Sequence, residues 1–176
     1  MTAAASLASL APYGAEGLDY FAGMGQENVD DIRLFLADEA AARAKTDADR
    51  EELLAMSPED TATAFESLLT PTDAAALRGE LAEYLTSSER DGLAPGSQGW
   101  WDDNCMSKPW GFDLASITVP VLLLHGRQDM FVPFGHGEWL AAHIPGVEAR
   151  LLDDDGHLTL MQNRVPEVHA WLSDHQ

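Results

Sequence analysis

Basic side chains are scarce in this sequence: 10 lysines and arginines face 30 aspartates and glutamates, for a formal net charge of −20. A field this negative repels phosphate backbones and anionic lipid, which argues against nucleic-acid binding and against electrostatic docking on a membrane. Cysteine is nearly absent. Cys105 stands alone, so no intrachain disulfide can form and nothing points to an oxidising compartment. With Lys108 as its one basic neighbour, its thiol is expected to be buried or inert. There is no run of about 18 apolar residues, so no bilayer-spanning helix is expected. The opening residues Met1–Leu7 lack the basic stretch of a secretory signal, and the expected location is cytoplasmic. The histidines show no zinc-ligand spacing, so no metal is expected, and no other cofactor is indicated. Against these absences, 45% of the residues are hydrophobic and 23% charged, enough apolar material for a core. The length suits one domain of ordinary size, or a domain with an inserted lid, but not two full domains.

Three regions read differently along the chain. Residues 1–23 open with the short apolar run Ala3-Ala4-Ala5-Ser6-Leu7-Ala8-Ser9-Leu10, stopped by Pro12 and Gly14, which favours a strand over about 3–10. Residues 24–112 carry most of the helix signal. Two helix starts there are written almost alike, Ser57-Pro58-Glu59-Asp60 and Thr70-Pro71-Thr72-Asp73. Each sets a hydroxyl before a proline and an acid three residues on, where it should meet the positive end of its own helix. Residues 113–176 change period. Val119-Pro120-Val121-Leu122-Leu123-Leu124 is continuously apolar, as a strand covered on both faces of a parallel sheet should be. A helical stretch around Trp139–Ile144 follows, then a strand over 147–152. An acidic loop, Asp153-Asp154-Asp155, is expected to be solvated, and the last helix to begin near Pro166. Strand, helix, strand, helix implies an α/β fold with a parallel sheet of about three strands.

Ligands of such sheets gather beyond the carboxyl ends of the strands. Asp129 lies five residues after the strand at 119–124, and His157 lies five residues after Leu152, beyond Gly156. Adjacent strands would bring the two loops within reach of a carboxylate–imidazole hydrogen bond, pairing a general base with its orienting acid. Trp100, Trp101, Trp110 and Phe112 cluster near the end of the helical region, either as the wall of a pocket or as plain packing.

The run Leu122-Leu123-Leu124-His125-Gly126-Arg127-Gln128-Asp129-Met130-Phe131-Val132-Pro133, with Asp155-Gly156-His157 after it, resembles the C-terminal half of an α/β-hydrolase. Trp110-Gly111-Phe112-Asp113 and Ile117-Thr118-Val119-Pro120 are similar to the segment by which that family returns from its helical cap to its core. The resemblance implies a partial hydrolase core at 1–23 and 113–176, with a cap at 24–112. It implies Asp129 as acid and His157 as base, and, by analogy, substrate contacts from Met130, Trp101 and Trp110. The Gly-x-Ser-x-Gly nucleophile turn of that family has no counterpart. Pro95-Gly96-Ser97-Gln98-Gly99 comes nearest, but it follows no strand, and Ser97 reads as part of a flexible loop of the insert. Ser6 and Ser9 read as small core residues. The expectation is therefore a truncated, ester-type hydrolase that is inactive alone, or else a non-catalytic module. An unpaired first strand would favour a homodimer or a complementing N-terminal half.

Overall fold

A computed structural model describes residues 2–175, the side chain of Ala62 excepted. Its frame is a three-stranded parallel sheet, β1 (Ala4–Leu7), β2 (Val121–Gly126) and β3 (Glu148–Leu152), in spatial order β1-β2-β3. Ala5 pairs with Leu122 on one side, and Leu124 pairs with Arg150 on the other. Every residue of β2 is buried, which is why its sequence shows no polar alternation. Successive side chains point to opposite faces. Leu122 and Leu124 pack with Leu160, Val168 and Trp171 on one face. Val121 and Leu123 pack with Ala11, Leu114, Leu140 and Ile144 on the other. Helix α7 (Phe134–His143) covers this second face, and helix α8 (His157–Asp174) covers the first. The fold class is thus α/β, with helices on both faces of a small parallel sheet.

The first strand is shorter than the 3–10 expected. Ala8 takes φ 48°, and its N–H bonds the Leu124 carbonyl at 2.9 Å, so the chain leaves the sheet there. A left-handed alanine costs roughly 1–2 kcal/mol, and the burial of Ala8 in the core holds it. The outer edge of β1 pairs with nothing among the described residues.

Between β1 and β2 lie, among the described residues, six α-helices besides short 3-10 turns: α1 (Gln26–Ala37), α2 (Glu39–Ala55), α3 (Pro58–Ala64), α4 (Pro71–Ala76), α5 (Glu80–Leu93) and α6 (Gln98–Asp103). The caps explain their boundaries. Asp38 accepts the N–H groups of Ala40 and Ala41 at 3.1 and 3.0 Å and starts α2. Ser57 and Asp60 form a reciprocal capping box that starts α3. Facing hydroxyls of Thr61 and Thr86, 2.8 Å apart and buried, tie α3 to α5.

The last helix departs furthest from expectation. It begins at His157, and Pro166 lies inside it. The apolar face of Leu160, Val168 and Trp171, seated on the sheet, holds both halves in place although the proline removes one ladder bond. No helix of the described residues is long and apolar enough to cross a membrane.

Candidate active site

The loop after β2 and the loop after β3 are stitched together by backbone. Arg127 N–H bonds the Leu152 carbonyl at 2.7 Å, and Gln128 N–H bonds the Asp155 carbonyl at 3.0 Å. Gly126 makes this approach possible, because a Cβ there would overlap the Asp155 carbonyl. Asp155 is buried rather than solvated. Asn163 donates to one of its oxygens at 2.9 Å and Arg164 to the other at 2.8 Å. Of the acidic run, Asp153 does lie in solvent, paired with Arg127 at 2.6 Å.

Asp129 and His157 meet at the stitched rim. The Asp129 side chain is fully buried. Its Oδ1 accepts the Val132 N–H at 2.8 Å, and its Oδ2 accepts from His157 Nδ1 at 2.8 Å. The imidazole stacks on Phe131, with ring centroids 4.7 Å apart, and about a quarter of its side chain is exposed. Nδ1 is thus committed to the carboxylate, and Nε2 has no hydrogen-bond partner among the described residues. Beneath the turn, His125 donates from Nε2 to the Val132 carbonyl at 2.8 Å and so braces the peptide that holds Asp129. Burial pushes the pKa of His125 below its ordinary value. The same holds for His136, which accepts the Ala11 N–H at 3.0 Å and donates to the Tyr20 carbonyl at 2.8 Å. Both are built into the fold as neutral rings.

His157 lines a cavity of about 630 Å³. Ala8, Ser9, Phe131 and Val132 form its floor, and α1, α2 and the Trp100–Trp110 stretch form its roof. Within that roof Lys45 sits between Asp31 at 3.1 Å and Asp49 at 2.5 Å. Burial raises the Asp31 carboxyl above its ordinary range, despite the ammonium beside it. Of the residues expected to contact a substrate, Trp110 lines this cavity. Trp101 does not. It packs edge-on against Phe35 at 5.3 Å, with Arg43 over its ring, while its neighbour Trp100 faces the cavity. Adjacent residues on a helix point about 100° apart, and here Trp100 turns to the cavity while Trp101 turns to Phe35. Met130 also lies off the wall. Its carbonyl accepts the Gly25 N–H at 2.8 Å, and the next two residues supply the lining.

The serines are placed as follows. Ser97 lies in the connection between α5 and α6, as expected, but is buried there, donating to Asp47 and accepting from Arg43 at 3.4 Å. Ser6 and Ser9 share a hydrogen bond at 2.5 Å, and Ser9 reaches the cavity wall. No serine hydroxyl among the described residues bonds His157. Cys105 is exposed, not buried. Sequence reasoning assigns no site role to Phe131 or Lys45, and it places Asp73 at the start of its own helix. The carboxylate of Asp73, from α4, accepts the backbone N–H of His157 at 2.7 Å.

No protein-family model matches the chain. Over 45 residues, about 26% of this chain and 18% of the relative, it is 38% identical to a pimeloyl-[acyl-carrier protein] methyl ester esterase of Nitrosomonas europaea. Its structure superposes on the esterase RhEst1 from Rhodococcus sp. with a TM-score of 0.56 at 18% identity, covering 99% of this chain and 57% of that one. A thermophilic esterase from Thermogutta terrifontis superposes with a TM-score of 0.55 at 18% identity, over 99% and 57% of the two chains. The described residues form part of an α/β-hydrolase fold. The chain spans a little over half the length of these solved structures, and its match to the curated esterase covers under a fifth of that protein.

Proposed function

We propose that this chain contributes the general base, His157, and its orienting acid, Asp129, to an ester-type hydrolase, and that it does not turn over esters alone. One observation carries the reading: the 2.8 Å bond by which a buried carboxylate holds Nδ1, leaving Nε2 without a described partner beside a cavity. In that arrangement Nε2 takes a proton from an attacking hydroxyl, Asp129 stabilises the imidazolium, and the proton passes to the leaving alcohol. The hydroxyl and the donors that would receive the oxyanion are to come from polypeptide outside the described residues. A cavity of about 630 Å³ suits a small acyl group, and the esterases that the chain resembles support an ester substrate. The helical stretch at 24–112 acts as the lid over a core formed by 1–23 and 113–176. We place the protein in the cytoplasm, with no nucleic-acid or membrane partner.

p-Nitrophenyl esters test this. The chain and its His157→Ala variant should both hydrolyse them no faster than buffer. With a polypeptide that completes the core, His157→Ala should cost roughly 10³-fold or more in kcat. His157-dependent turnover by the 176 residues alone would overturn the inactivity, and a completed enzyme indifferent to His157→Ala would overturn the base.

The unpaired edge of β1 favours a second reading, a non-catalytic module that pairs through that edge with a second copy. Light scattering after size exclusion distinguishes it, by a mass twice 19.1 kDa without added polypeptide.

A further inference from the structure

The geometry points to the first turn of α4 as a clamp that positions the acid–base pair, with Asp73 as the residue that sets His157. It rests on the reading of His157 as base, and it adds a coupling between the lid and that base. Asp73 is fully buried on a six-residue helix of the helical segment. Its carboxylate serves a different helix, α8, packed against α4. Oδ2 accepts the His157 N–H at 2.7 Å, and Oδ1 accepts the Leu158 N–H at 3.1 Å, the Thr159 N–H at 3.0 Å and the Thr159 hydroxyl at 3.0 Å. These backbone donors open the 18-residue α8, where no intrahelical carbonyl can reach them and the helix dipole favours an anion. Four donors on two oxygens also offset the cost of burying the charge. Gly156 completes the fit, since a Cβ there would run into the Asp73 carboxylate.

The neighbouring residue reaches the other half of the pair. Thr72 bonds the Gln128 side-chain oxygen at 2.5 Å, one residue before Asp129. Two consecutive residues of α4 therefore hold the loop that carries the acid and the helix start that carries the base. His157 is anchored twice, by its ring to Asp129 and by its backbone N–H to Asp73. Losing the second anchor lets the first turn of α8 shift and loosens the first. Lid docking and base alignment then become a single equilibrium: when the α4 turn lifts, α8 loses its cap and the imidazole loses its bearing.

The test is NMR of the unliganded 15N-labelled chain, comparing it with Asp73→Asn. The carboxamide keeps one acceptor oxygen but turns an NH₂ group toward a backbone N–H. At about pH 8, where imidazoles are ordinarily neutral, the ring nitrogen shifts of His157 should report the Nδ1–H tautomer held by Asp129. In Asp73→Asn that tautomer should give way to a mixture. Hydrogen exchange of the His157, Leu158 and Thr159 amides should rise about tenfold or more, while amides of β2 keep their protection. A merely structural role would lower the melting temperature and leave the tautomer alone. An unchanged tautomer in a folded Asp73→Asn chain overturns the proposal, whether or not exchange rises. If that variant loses protection throughout, Thr72→Ala decides: a disturbed His157 ring supports the clamp, and an undisturbed one overturns it. None of these readouts involves turnover. A clamp seen here beside a completed enzyme indifferent to His157→Ala would remove the base and leave the clamp standing.

Discussion

The segments Ser57–Asp60 and Thr70–Asp73 share one pattern, a hydroxyl, a proline and then an acid at the third helical position, yet they do opposite things. The first closes on itself. Asp60 N–H bonds Ser57 Oγ at 3.2 Å, and Asp60 Oδ2 accepts the Ser57 N–H at 3.0 Å, all at the surface. The second opens outward. The Thr70 hydroxyl is buried with no described partner, and Asp73 leaves its own helix uncapped to serve α8. A hydroxyl-Pro-x-Asp pattern thus identifies a helix start. Whether its acid acts locally is decided by what packs over it.

Substitutions can sharpen or break this contrast. Asp73→Ala should be the costliest, at about 3–5 kcal/mol in denaturant unfolding, because it strands several buried donors. Gly156→Ala attacks the same contact from the other side and should cost about 1–3 kcal/mol by overpacking. Acid should separate the core from the helical segment by pH. Burial lowers the pKa values of His125 and His136, so the unfolded chain takes up protons first. Their contribution is full above the ordinary value of 6.5 and is lost as pH falls from there toward their lowered folded values. Bonds from the Ser57 backbone and hydroxyl lower the pKa of Asp60, so its contribution persists until pH falls below 3.8. Melting temperature against pH should therefore begin to decline near 6.5, and a flat profile down to pH 4 would contradict the neutral-ring assignment. Ser57→Ala should be the mildest, about 1 kcal/mol. A cost equal to that of Asp73→Ala would dissolve the contrast.

What could be read in advance follows the same divide. The β2 run, the turn to Asp129 and the Gly156–His157 pair are written in consecutive residues, so their order and the meeting of acid with base were legible. The start of α8 was not, because its cap comes from Asp73, 84 residues earlier. Asp155 read as solvent-facing because the Arg164 and Asn163 that bury it approach only once α8 is formed. Trp101 and its neighbour Trp100 differ by phase on one short helix, and composition carries no phase. The end of β1 was hidden in an alanine with φ 48°, a conformation that a side chain of that size does not advertise.

The span from Asp73 to His157 also has a kinetic consequence. The pairing of β2 with β3 and the packing of α7 on both join segments near in sequence, whereas the opening turn of α8 waits for a residue far back along the chain. Contacts that close long loops form late. In refolding, the backbone of residue 157 should therefore gain protection after the β2–α7–β3 unit, so that the imidazole comes to rest only as the fold is finished.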